Sequence, residues 1–220
     1  MHWGISPLLF CFKTYAIILL YPTKQEDSYL AQELEIEFKN MLTKEEYTSL
    51  LTAYKLENDI KTQTNDYFDT ADFLIRENGA ALRVRNKKDK FVLTLKQPAD
   101  EGLLETHQPI SFETFEAIKK SASLPEGEVL TQLQEFGIQD QLIHLGRLTT
   151  HRAEYMLDEG LLVLDHSEYL NREDFELEFE VSAFEAGERA FSHLLQKHEI
   201  PKREAKNKIL RFFLASQEQA

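Results

Sequence analysis

Cysteine is nearly absent from this chain of 220 residues. Cys11 is the single one, so no internal disulfide can form and no thiolate pair is available to zinc, a usage that fits a reducing cytoplasm. Positive charge is also scarce, with Lys+Arg 25 against Asp+Glu 38 and a formal net charge of -13. That balance disfavours long-range attraction to nucleic acid or to an anionic membrane, and an anionic small molecule would need a local basic cluster or metal ions. Long apolar runs are missing as well. Leu8 to Tyr21 is interrupted by Lys13 and falls short of the ~20 apolar residues of a spanning helix. No Lys or Arg precedes it and no small-residue cleavage site follows, so it reads poorly as a signal peptide. We therefore expect residues 1–29 to be a non-native or disordered extension from an over-extended translation start, and residues 30–217 to form one domain.

The motifs of the commoner phosphate chemistries are missing too. There is no phosphate-cradling Gly-rich loop and no serine elbow, and Cys11 lies in the doubtful leader. His107, His144, His151, His166, His193 and His198 have no helical metal-pair spacing, which points to surface or supporting roles.

What is present is alternation. From Leu30 the chain sets Glu33, Glu35, Glu37 and Lys39 on one side and Leu34, Ile36 and Phe38 on the other, the period of a strand. Thr43-Lys44-Glu45-Glu46 is a capping box that opens an amphipathic helix to Glu57, with Leu42, Tyr47, Leu50, Leu51 and Tyr54 as its buried stripe. Strands follow at Thr62 to Thr70, Ala80 to Lys87, Lys90 to Gln97 and Leu103 to Ile110, with a short helical turn closed by Gly79 after the first and a tight turn at Lys88-Asp89. Ser111 to Ser121 and Glu126 to Phe136 read as helices, and Leu142 to Leu157, Leu161 to Ser167 and Phe175 to Ala183 as strands. Helices at Glu185 to His198 and Lys202 to Ala215 finish the chain. About eight strands, mostly joined by hairpins, favour an α+β fold with an antiparallel sheet closed into a barrel.

The charged residues of several strands share one face: Glu35/Glu37/Lys39, Arg83/Arg85, Thr94/Lys96, Arg152/Glu154 and Glu176/Glu178/Glu180. The opposite faces are apolar and require helices packed outside, so closure turns the charges inward. Glutamates ~7 Å apart along a strand repel and resist ionisation once partly buried, and a divalent cation removes that penalty. Oxygen ligands suit Mg²⁺ or Mn²⁺, while the Arg and Lys residues match the oxygens of a triphosphate. A lone ExExK is more simply the solvated face of a two-layer sheet; the five strands together favour the lumen.

These segments resemble the CYTH superfamily, the triphosphate tunnel metalloenzymes. The resemblance runs from Leu30 to Leu214 through Glu35-Ile-Glu37-Phe-Lys39 (the ExExK signature), Tyr67-Phe68-Asp69-Thr70, Leu82-Arg83-Val84-Arg85, Thr94-Leu95-Lys96, Thr150-His151-Arg152, Leu164-Asp165, Glu176 to Glu180 and Ala205-Lys206. It implies that Glu35, Glu37, Glu178 and Glu180 bind cations, with Asp165 near the metal, and that Lys39, Arg83, Arg85, Lys96, Arg152 and Lys206 bind phosphates. Glu35, Glu37, Lys39, Arg83 and Arg85 would carry the catalysis. Glu176 competes with its two neighbours, and Lys208 with Lys206. Where the family has a denser run of acids after the fourth strand, this chain has Glu105 and His107. Tyr67 and Asp69 read as supports for a loop. The expected activity is Mg²⁺- or Mn²⁺-dependent hydrolysis of a triphosphate, inorganic triphosphate first and nucleoside or thiamine triphosphate next, by a cytoplasmic monomer or homodimer without nucleic-acid or membrane partners. The rivals are adenylate cyclisation and polyphosphate or nucleotide binding without turnover.

Overall fold

Alternating apolar and charged residues become strands here because two layers of helices stand ready to cover the apolar side. The computed structural model describes residues 32–218 apart from 101, 122 and 139–141; the expectations for residues 1–29 and Cys11 fall outside the described residues. The strands are β1 (Gln32–Leu42), β2 (Lys61–Thr70), β3 (Ala81–Lys87), β4 (Lys90–Pro98), β5 (Leu103–Ile110), β6 (Leu142–Leu157), β7 (Gly160–Tyr169) and β8 (Arg172–Val181). They form a closed barrel in the order β1-β5-β4-β3-β2-β6-β7-β8, with every pairing antiparallel. β1 closes it by dividing its pairing: Gln32 to Glu35 pair with β5, and Ile36 to Leu42 with β8. The β3–β4 and β7–β8 turns hold Lys88, Asp89, Leu170 and Asn171 at positive φ, the backbone twist that two-residue hairpins need.

Helices α1 (Lys44–Tyr54) and α5 (Phe184–Lys197) cover one flank, where Leu50, Leu51, Phe191 and Leu195 pack with Leu162, Leu164, Leu177 and Phe179. On the other flank α2 (Leu74–Glu77), α3 (Phe112–Ser121) and α4 (Glu128–Glu135) set Ile75, Phe115, Ile118, Val129 and Leu133 against Phe68, Leu82, Val84, Leu93 and Leu95. Each such side chain contributes ~1.5–3 kcal/mol on full burial, so these two outer cores, and not the barrel interior, carry the hydrophobic stabilisation. The capping box at Thr43 is present: Glu46 N–H donates to Thr43 Oγ1 at 3.2 Å, and Thr43 N–H donates to Glu46 Oε2 at 2.8 Å.

The structure corrects three details. α1 stops at Tyr54, short of Glu57, because Lys55 turns into the left-handed conformation. Leu34 is 52% exposed instead of buried, since β1 at that level lies beyond the helical cover. The last helix, α6, spans Lys208–Gln217 and does not start at Lys202. Residues 201–207 run without helix because distant groups take up their backbone. Buried Asn40 donates to Pro201 O at 3.1 Å and accepts from Arg203 N–H at 2.6 Å, and the Arg203 guanidinium forks onto Glu46 at 2.7 and 3.0 Å.

α6 also departs from the expectation that every helix packs outside. Its Phe212 sits on Tyr67, Leu148 and Tyr169, which lie on the same sheet face as the charged residues. A register shift between Tyr67 and Phe68 makes room for it at Gly146, whose φ is +143° and where a Cβ would stand 2.4 Å from Phe212 Cζ.

Asp69 has the supporting role expected of it. Its buried carboxylate accepts from the backbone N–H of Thr70, Ile75 and Arg76 at 2.8, 2.9 and 3.2 Å, fixing α2 to the end of β2. Asp69→Ala leaves those amides unmatched and should cost on the order of 2–3 kcal/mol in denaturant unfolding; an unchanged midpoint would show that α2 does not need this anchor.

Candidate functional site

Directly opposed residues of an antiparallel ladder project to the same face, so the register alone identifies the lumen. Glu37 opposes Glu180 and Lys39 opposes Glu178 across β1–β8, while Arg152, Asp165 and Glu176 line up across β6, β7 and β8. Tyr67 and Asn65 oppose Arg83 and Arg85, Arg83 opposes Thr94, and Lys96 opposes Glu105. Every strand thus contributes to one enclosed polar surface.

One bank gathers where β1, β3, β4 and β5 meet. Lys96 Nζ lies 2.6 Å from Glu35 Oε2 and also contacts Glu105, while Arg83 reaches Glu105 at 3.6 Å. The two carboxyls diverge. Burial pushes Glu35 up to about 8, against the pull of Lys96 and with the repulsion of Glu37 and Glu105. Glu105 is more deeply buried, which would raise it further, yet it is held well below the usual carboxylate range because both Lys96 and Arg83 face it.

The second bank lies on β1, β6, β7, β8 and α6. Arg152 donates from Nε and Nη2 to Asp165 at 2.8 and 2.7 Å and from Nη2 to Glu178 at 2.6 Å. Lys208 Nζ stands 2.9, 2.7 and 2.6 Å from Asp165, Glu176 and Glu178, and Arg211 bonds Glu176 at 2.9 Å and Asp174 at 2.9 Å. Burial alone would raise Asp165 and Glu178, yet Arg152 and Lys208 hold both down. Lys39 lies 2.7 Å from Glu37 and 3.5 Å from Glu178; burial opposes its charge, but Glu178 and Glu37 keep the ammonium above its ordinary range.

Between the banks the charges are not balanced. Burial pushes Glu180 up to about 7, since Arg152, 3.9 Å away, offsets too little and Glu178 and Glu37 repel it. Oε1 of Glu37 is buried without an aligned hydrogen bond despite its closeness to Lys39. Opposite them, Arg85 donates from Nε to Asn65 Oδ1 at 3.2 Å and makes no carboxylate ion pair among the described residues. Burial, then the neighbouring Arg83 and Arg152, pushes its guanidinium down to about 10. Nε of Arg83 is buried without a hydrogen-bond partner among the described residues. Crowded acids beside under-neutralised bases can accept a cation and a polyanion together, each relieving what the other cannot.

Of the residues singled out in the sequence, Glu35, Glu37, Lys39, Arg83, Arg85, Lys96, Arg152, Asp165, Glu178 and Glu180 all lie on this surface. Lys206 does not join them. Its side chain is exposed, and the lysine within the lumen is Lys208, because residues 201–207 run extended before α6 turns the next lysine inward. Glu176 faces Lys208 and Arg211, apart from the unbalanced acids. Asp174 and Arg211 were not anticipated; the available signal was the Lys208/Arg211 spacing, which puts both cations on one side of a helix.

A model of the CYTH domain matches residues 33–213. Over 186 residues the chain is 52% identical to YjbK of Bacillus subtilis (strain 168), named as a candidate triphosphatase, covering 84% of this chain and 96% of that protein. Among solved structures, one from Bacillus halodurans named as a candidate adenylate cyclase is 41% identical, with a TM-score of 0.80 over 84% of this chain and 100% of its own. HpAC1 from Hippeastrum, a candidate adenylyl cyclase described as having a dominant triphosphatase activity, is 25% identical, with a TM-score of 0.68 over 81% and 95% of the two chains. With its closed barrel, its inward charges and a family match that spans nearly all of the described residues, the chain belongs to the CYTH domain family.

Proposed function

We propose that this chain hydrolyses a triphosphate, inorganic triphosphate first among candidates, with the help of Mg²⁺ or Mn²⁺. The observation that carries the reading is Arg85: a half-buried guanidinium that pairs with no carboxylate among the described residues, beside Arg83 and Arg152, is a costly arrangement unless an anion completes it. The triphosphatase name of YjbK and the dominant triphosphatase activity described for HpAC1 support hydrolysis over the other chemistries of a triphosphate.

The donor set fits a hard divalent cation. Glu35, Glu37, Glu178 and Glu180 offer only oxygen, and burial, with the repulsion of neighbouring carboxylates added to it, pushes Glu35 and Glu180 up. When bound, the ion would neutralise phosphate oxygens and polarise the scissile bond. Arg83, Arg85 and Arg152 would grip the phosphates as forks, with Lys39 and Lys96 as point charges. Water then attacks the terminal phosphorus in line, the anhydride P–O bond breaks, diphosphate leaves, and a lumen glutamate positions the water. Lys208, locked among three carboxylates, closes the lumen on the α6 side instead of holding phosphate.

Among the described residues no helix is long and apolar enough to cross a membrane. The formal net charge of -13 favours a small-molecule partner over nucleic acid or an anionic membrane, and the chain is proposed as a cytoplasmic monomer or homodimer.

Arg83→Ala and Arg85→Ala should each lower kcat/KM for tripolyphosphate by ~10²–10³-fold, and Glu37→Gln should abolish turnover, while Lys206→Ala stays near wild type. Near-full activity of Arg85→Ala would overturn the anion grip. With ATP the expected products are ADP and phosphate; cyclic AMP and diphosphate would assign cyclisation instead.

Glu35 and Glu180 have native pKa values above their unfolded ones, so between pH ~5 and ~8 the native state binds more protons and stability falls as pH rises. Groups held low, such as Glu105 and Glu178, act in the opposite sense but only below the unfolded carboxylate range. In chelator the melting temperature should drop from pH 5.5 to 8.5, and Glu180→Gln should flatten that slope. A flat wild-type profile, or one that rises with pH, would contradict the burial of these two carboxyls among other acids.

A further inference from the structure

A different cluster lies where the lumen meets solvent. Glu33, on β1, is about half exposed; Glu105 and His107, on β5, are largely covered. His107 Nε2 is 3.0 Å from Glu33 Oε1 and 3.5 Å from Glu105 Oε2, and one donor atom of each residue lies within 4.8 Å of the others. We propose that Glu33, Glu105 and His107 form a second cation site, selective for first-row transition ions such as Zn²⁺ over Mg²⁺.

Three features point this way. First, the spacings are those of neighbouring ligands: with metal bonds of ~2.1 Å, donors stand ~3.0 Å apart at right angles and ~3.4 Å apart at tetrahedral angles. Second, the imidazole is already oriented. His107 Nε2 lies 3.0 Å from Glu33 Oε1, a carboxylate that can only accept, so Nε2–H donates to it in the metal-free protein; a cation at Nε2 would displace that proton, and Nδ1, 3.0 Å from Thr94 Oγ1, would then donate there, the outer-shell arrangement that fixes metal-binding histidines. Third, the nitrogen donor sets the preference, since imidazole suits Zn²⁺ and its neighbours whereas Mg²⁺ prefers an all-oxygen shell. Glu105 is held ionised by Lys96 and Arg83, so it is ready as a ligand. The other carboxylate triad, Asp165, Glu176 and Glu178, lacks this opportunity because the Lys208 ammonium fills it.

This site stands whether or not the lumen hydrolyses a triphosphate, and its test does not use turnover. Full-length protein labelled with ¹⁵N-histidine is titrated with Zn²⁺ in saturating Mg²⁺, with the His107 imidazole signals assigned by their loss in His107→Gln. We expect the His107 Nε2 signal to move with about one equivalent of Zn²⁺ and not with Mg²⁺ alone. We expect Glu33→Gln, a half-exposed position that leaves the fold intact, to weaken that response at least ~10-fold. A His107 signal indifferent to Zn²⁺, or a Zn²⁺ affinity unchanged by Glu33→Gln, overturns the proposal.

Discussion

Closing a sheet whose charged faces point inward brings charged and polar side chains of eight strands into one enclosed space, and the rest of the molecule answers to that constraint. An ordinary small barrel fills its interior with apolar side chains; here the two apolar cores are moved outside, under α1 and α5 on one flank and α2, α3 and α4 on the other. Burial of an ion pair gives back little net stability, so the outer cores must sustain a lumen that contributes small or negative terms of its own.

The lumen resolves its charges unevenly. On the α6 side, Lys208 and Arg211 enter from a helix and neutralise Asp165, Asp174 and Glu176, while Phe212 seals against Tyr67, Leu148 and Tyr169; Glu178, shared by Lys208, Arg152 and Lys39, stands at the border with the unbalanced acids. Away from α6, Glu35, Glu37 and Glu180 crowd one another, and Arg85 pairs with no acid among the described residues. That asymmetry is what turns a charged interior into a binding site. Where every charge has a partner the structure is locked, and where partners are missing a metal ion and a polyanion have something to gain.

Much of this was legible in the sequence, and the reason is the period of two. Once Glu35/Glu37/Lys39 and Phe38/Ile36 are assigned to opposite faces, the helices' apolar stripes decide which face is outside, and the inward residues of β3, β4, β6 and β8 follow in the same way. The segment before α6 was not legible. Its helical spacing is sound locally, yet Asn40 and Glu46, more than a hundred residues earlier, hold Pro201 and Arg203 in an extended path, and the inward lysine changes from Lys206 to Lys208. Arg211 and Asp174 were missed for a related reason: the Lys208/Arg211 spacing marks one side of a helix, but nothing in the periodicity of helix or strand says that the two meet. The exposure of Leu34 also depends on how far the helical cover extends, which strand alternation does not record.

The central claim is that the unbalanced acids and bases of the lumen are completed together by a divalent cation and a triphosphate. A crystal structure with Mn²⁺ and a non-hydrolysable triphosphate tests it most directly. The expected result is an anomalous peak for manganese among Glu35, Glu37, Glu178 and Glu180, with phosphate oxygens on Arg83, Arg85 and Arg152. Manganese and triphosphate bound only outside the barrel, with the ion pairs of the lumen unchanged, would contradict it.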